Sequence, residues 1–208
     1  MNGAKKDEKL IKVVTCLGFA DAHEDDSLFK EAFDVGKALA DAGYTVANGG
    51  GPGVMRATTL GAKAGGGHVI GVTFYPKDVA NFEGRDKNNK IDEEITTENY
   101  LARTMKLLEV GQAYVIFRGG TGTISEFGMA WGLARLYFGH HKPLILYGKF
   151  WESIIAAFIS HMRMRPEEFQ VYRIVRTPQE VIESLDIFEY TMKRDSRVFN
   201  PAEKPFQV

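Results

Sequence analysis

The stretch "AYVIFRGGTGTISEFGMAWGLARLYF", residues 113–138, decides the fold. Five apolar, strand-forming residues end at Phe117, a glycine turn follows, and a long apolar helix pattern begins at Thr121. A strand that runs through glycines straight into a helix is the building unit of a parallel α/β sheet. The turn also sets a question, because Glu126 falls in the expected first helical turn. Backbone N–H groups at a helix start attract anions, so a turn made only for phosphate has no use for a carboxylate beside it.

The same unit recurs in both directions along the chain. "LIKVVTCLGF" (10–19) reads as a buried first strand. "DDSLFKEAFDVGKALADAG" (25–43) places Leu28, Ala32, Val35, Leu39 and Ala42 at helical spacing, with Ser27 as N-cap and Gly43 as stop. "YTVAN" (44–48) leads into "GGGPG", the helix "VMRATTLGAKAG" (54–65) and the strand "HVIGVTF" (68–74). Residues 75–95 break the rhythm: they are polar, without period, and read as a long functional loop. A helix over 96–111 follows, with Thr97 as cap, and then the opening strand and helix. "PLILY" (143–147), "FWESIIAAFISHMR" (150–163), "VYRIV" (171–175) and "TPQEVIESLD" (177–186) complete the alternation, with Pro178 at a first helical position. The pattern predicts a doubly wound, Rossmann-like parallel sheet with helices on both faces, as one domain over 1–188. Residues 189–208 read as an extended C-terminal tail.

Composition narrows the function classes. Across 208 residues the formal net charge is −1, which points away from nucleic acid and from an anionic membrane surface. No apolar run reaches the ~20 residues of a membrane span, and nothing before the first strand resembles a signal peptide. The single cysteine, Cys16, lies in an apolar run and reads as a buried structural thiol in a reducing cytoplasm.

Two glycine clusters fall at strand ends, where doubly wound sheets bind their ligands. One is "NGGGPG" (48–53) and the other "RGGTGT" (118–123). Together they nominate Gly49, Gly50, Gly51, Gly53, Arg118, Gly119, Gly120, Thr121, Gly122 and Thr123 as binding residues for a phosphorylated small molecule, and Met55, just after the first cluster, is expected to bind with them. Neither cluster is a Walker A loop, and neither has the G-x-G-x-x-G spacing of dinucleotide folds. Arg103, on the helix before 113–117, and Glu126, after the second glycine turn, are expected to reach one crevice. His140 and His141 read as a solvated loop, because adjacent side chains rarely share a metal. His68 reads as structural, and Trp131 and Trp151 as packing. No metal site is expected.

"RGGTGTISE" resembles the PGGxGTxxE signature of the LOG family, and "NGGGPGVMRATTLGAKAGGGHVIGV" resembles that family's GGGxxGLMG motif with its following helix and strand. Arg103 in "LARTMK" matches the arginine of the family's MHxRK-like stretch. The resemblance covers residues 11 to 160. It implies a phosphoribohydrolase without cofactor that cleaves a nucleoside 5′-monophosphate into free base and ribose 5-phosphate. By the same resemblance Arg103 and Glu126 are its catalytic residues, and the assembly is a homodimer. The apolar helix 121–138, greasy on more than one face, agrees with a subunit contact. Three positions depart from the family pattern: Arg118 stands for a proline, Thr104 for a lysine, and "CLGF" (16–19) for a serine-containing strand end. A non-catalytic nucleotide or cofactor carrier on the same fold is the alternative. Pyridoxal chemistry lacks a lysine at a strand-end pocket.

Overall fold

The computed structural model describes residues 9–75 and 84–194. Its strands are β1 (Val13–Leu17), β2 (Thr45–Asn48), β3 (Val69–Phe74), β4 (Glu93–Thr97), β5 (Ala113–Ile116), β6 (Leu144–Tyr147) and β7 (Tyr172–Val175). The helices are α1 (Ser27–Asp41), α2 (Val54–Ala64), α3 (Tyr100–Val110), α4 (Thr121–Leu136), α5 (Phe150–His161) and α6 (Pro178–Arg194). All seven strands are parallel, in the order β4-β3-β2-β1-β5-β6-β7. The order reverses between β1 and β5. That switch point opens a crevice at the carboxyl ends of the strands.

Alternation along the strands divides the core into two layers. Val14 and Cys16 of β1, with Ala113 and Val115 of β5, pack under α1, α2 and α6. Leu17, Tyr114 and Ile116 face α3, α4 and α5. Both faces are covered, which is why the strands read as unbroken apolar runs. Trp131 and Trp151 pack around Phe127, and their indole N–H groups donate to the carbonyls of Glu168 and Ile116.

Four features differ from the sequence reading. The segment expected to be a loop up to residue 95 contains the edge strand β4, which adds parallel to β3 from Ile70↔Glu93 onward. Its residues, EEITT, alternate no apolar face because one side of an edge strand is open to water. Thr97 therefore ends a strand, and the cap of α3 is Asn99, whose side chain accepts the Ala102 N–H at 2.9 Å. At α1 the N-cap is Asp26 rather than Ser27; its carboxylate accepts the His23 N–H instead of a helical one. The last helix continues past residue 188 to Arg194, burying Glu189 and Met192. Glu189 accepts the N–H groups of Leu10 and Ile11 and so anchors the approach to β1. Residues 195–208 lie outside the described residues, as do 76–83 of the expected loop. Among the described residues no helix is long and apolar enough to cross a membrane.

Candidate functional site

A cavity of about 280 Å³ opens at the switch point. Its walls come from the end of β1 and the loop after it (Cys16–Ala20), Gly49 after β2, the start of α2, one face of α3 and the first turns of α4. Arg103 and Glu126 both line it, each 7% exposed. Glu126 is the sixth residue of α4, one turn deeper than the sequence suggested. It therefore points at the cavity from the flank of the helix rather than from its dipole end.

Arg103 is fixed by backbone carbonyls. Its Nε donates to Val72 O at 3.0 Å and its Nη2 to Gly49 O at 3.1 Å, with Met55 Sδ at 3.5 Å from Nη2. These bonds partly replace the water lost on burial. Burial still lowers its pKa, with the charges of Glu126 and Tyr100 pulling the other way. Burial pushes the Glu126 carboxyl up to about 7, while the Arg103 charge pulls it down. The site thus holds a permanent cation next to a carboxyl that titrates near neutrality.

The first glycine turn is held by Asn48, a fully buried residue that the sequence reading passed over. Its Oδ1 accepts the Gly50 N–H at 2.8 Å, and its Nδ2 donates to Met55 O and to the hydroxyls of Thr58 and Thr59. Asn48 thereby positions both Gly49 and Met55, the two groups that hold Arg103 Nη2. An asparagine closing an apolar strand before a glycine run was the available signal.

Of the nominated binding residues, Gly49, Met55, Gly120, Thr121, Gly122 and Thr123 line the cavity. Gly50, Gly51 and Gly53 stand behind its wall. The Gly50 carbonyl accepts from Asp86 N and Arg85, the Gly51 carbonyl accepts Asn89 Nδ2, and Gly53 abuts the carbonyls of Phe19 and Ala20. Gly53 has φ +60°, and a Cβ there would strike that loop. Gly119 packs on the Thr123 side chain. Arg118 is exposed, with its guanidinium 4.6 Å from the centre of the Phe150 ring, and does not line the cavity.

Sequence reasoning missed Tyr100 and Leu107 as lining residues. They lie three residues before and four after Arg103, on the same helix face, so the spacing rule alone would have found them. Cys16 is fully buried beneath the cavity, its thiol pushed up to about 12 by desolvation. His141, expected in a solvated loop, instead packs between Phe138 and Phe188, and burial depresses its pKa to about 4. His68 is exposed beside Asp92 and Glu93. Among the described residues no group of three or more His, Cys, Asp or Glu side chains gathers to hold a metal ion.

A seven-stranded parallel sheet with a glycine-flanked cavity at its switch point defines an α/β protein of the Rossmann-like class. The chain belongs to the SLOG cluster4 family, whose model matches residues 11–171. Over 124 residues it is 31% identical to an uncharacterized protein of Archaeoglobus fulgidus, covering 60% of this chain and 78% of that one. Over 121 residues it is 34% identical to the cytokinin riboside 5′-monophosphate phosphoribohydrolase of Mycobacterium tuberculosis. That match covers 57% of this chain and 62% of the mycobacterial protein, less than two thirds of its length. Among solved structures, the molybdenum cofactor binding protein of Rippkaea orientalis shares the fold with a TM-score of 0.63 at 22% identity, over 86% of this chain and 97% of that one.

Proposed function

We propose that the protein hydrolyses the N-glycosidic bond of a nucleoside 5′-monophosphate, of AMP or cytokinin-nucleotide type, releasing free base and ribose 5-phosphate. The observation that carries this reading is a buried carboxyl, Glu126, within electrostatic reach of a buried guanidinium, Arg103, in the cavity that the start of α4 borders. A site made only to hold an anion gains nothing from that carboxyl. The name of the mycobacterial relative points the same way.

In this reading the 5′-phosphate rests on the first turn of α4, where helix geometry leaves N–H groups without intrahelical partners. The hydroxyls of Thr121 and Thr123 add donors. The sugar then lies toward Glu126. Breaking the C1′–N bond develops positive charge on the ribose ring, and an ionised Glu126 stabilises it. The oxygen of a water bonds to C1′ while the C1′–N electron pair leaves with the base. Glu126 accepts a proton from that water, and the departing nitrogen gains one from solvent. Arg103 keeps the carboxylate form accessible despite burial. Gly49 and Met55 close the wall opposite α4, and the remaining glycines set its backbone. The unit of assembly in this proposal is a homodimer.

Incubation with AMP and chromatography for adenine is the direct test. Wild type is expected to release adenine and ribose 5-phosphate in equal amounts. Glu126→Ala is expected to lower turnover by ~10²-fold or more while still binding AMP. Equal release by both proteins removes Glu126 from the chemistry. AMP that binds wild type without being cleaved marks a carrier on the same fold.

A further inference from the structure

The cavity is chemically divided. Apart from the buried Cys16 thiol, its ionisable and hydroxyl side chains, Tyr100, Arg103, Thr121, Thr123 and Glu126, all belong to α3 and α4. The wall outside α3 and α4 consists of Leu17, Gly18, Phe19, Ala20, Gly49 and Met55 over the buried Cys16. No side chain on that wall is a strong hydrogen-bond donor or acceptor. Phe19 is 41% exposed, yet its backbone is fixed at both ends: its N–H donates to Arg118 O at 3.1 Å and its carbonyl accepts Val54 N–H at 2.9 Å. An open aromatic ring on a held backbone, beside an apolar wall, is a surface for a flat ring system.

Building on the function proposed above, we infer that Phe19 is the specificity-determining residue of the site, and that it recognises the base of the ligand by its ring face rather than by its hydrogen-bonding edge. Every nucleobase offers such a face, so stacking tolerates changes at the ring's polar groups. A wall without polar side chains also rejects a changed exocyclic group only weakly. Strong rejection needs buried donors and acceptors that the wrong ligand leaves unpaired. The polar half of the cavity would hold the sugar and phosphate common to all nucleotides, and the apolar half would select for a planar ring of adequate size.

The test measures binding of AMP, IMP, GMP and ribose 5-phosphate by calorimetry, to the wild-type Phe19 and to Phe19→Ala, each chain also carrying Glu126→Ala so that no nucleotide is cleaved during the titration. Because Phe19 is well exposed, the variant is expected to keep its fold, which circular dichroism checks. AMP, IMP and GMP are expected to bind wild type within about 100-fold of one another. Phe19→Ala should weaken all three by about 5- to 100-fold and leave ribose 5-phosphate unchanged, and Phe19→Tyr should restore nucleotide binding. The inference is overturned by wider discrimination among the three purine nucleotides, or by a Phe19→Ala loss that ribose 5-phosphate shares. Failure of wild type to bind either ribose 5-phosphate or any nucleotide would sink the function reading itself, a distinct result.

Discussion

Near neutral pH Glu126 is divided between two forms, because burial pushes its pKa from about 4.5 up to about 7. The folded carboxyl binds its proton more tightly than the unfolded one. Between pH 4.5 and 7 the native state therefore holds more protons, and stability falls as pH rises, with the full loss present above 7. That loss is on the order of 3 kcal/mol. A melting-temperature series from pH 5 to 7.5 is expected to slope downward in wild type and to flatten in Glu126→Gln. If the ionised form does the work, kcat/KM for AMP rises with pH through an inflection near 7, since that ratio reports the free enzyme. An inflection in the opposite sense would make Glu126 a proton donor instead. The convergence of Arg103 and Glu126 was legible in the sequence because Glu126 follows a strand-end glycine turn and Arg103 sits on the helix that precedes the same strand. The hold that Asn48 exerts was not, since it depends on which backbone groups the fold brings within its reach. Arg118 belongs with the motif in sequence yet stacks on Phe150, a residue 32 positions away that no local pattern could name.

Elements were readable where burial left a period and opaque where it did not. β4 escaped because an edge strand of five residues, with one Ile and two Thr among its glutamates, carries no alternation. Its place is set by contacts distant in sequence: Glu94 accepts the hydroxyls of Thr73 and Tyr75, and Asp92 accepts the Val69 N–H. The pairing of α1 with α2 was equally hidden. These helices approach backbone to backbone, with Gly36 against the Thr58 carbonyl and Gly61 against the Phe33 carbonyl. A Cβ at either glycine would run into the facing oxygen. Gly61→Ala is therefore expected to destabilise the fold by about 1 to 3 kcal/mol, although alanine is the better helix former. Urea unfolding of the variant checks this, and an unchanged or raised midpoint would mean that the two helices separate at little cost.

At the scale of the molecule, the sheet was legible, and the homodimer stands as a proposal that the outer faces of two helices can test. α4 buries Phe127, Ala130, Trp131 and Ala134 but leaves Ile124 59% and Leu136 62% exposed, with Gly128 and Gly132 between them at intervals of four. α5, on the same side of the sheet, exposes Ile154 and Ile159, and Met162 just past its end is exposed as well. In the proposed homodimer these faces meet a second copy. Light scattering is then expected to give twice the chain mass for wild type and the single chain mass for Leu136→Glu, since a carboxylate buried at an apolar contact has no partner. A wild type that scatters as one chain would leave the stripe without that role. The edge strand and the caps remained out of reach of sequence reading because polar residues there answer to neighbours rather than to a period.

The fully buried Cys16 has a consequence for the chain's redox chemistry. With its thiol buried and pushed up to about 12, almost none of it is thiolate, the reactive form, at neutral pH. Peroxide meeting the folded protein would attack thioethers first, at side chains such as Met162, which is 60% exposed. Oxidative damage would then begin just past the C-terminal end of α5 rather than at the strand that underlies the cavity.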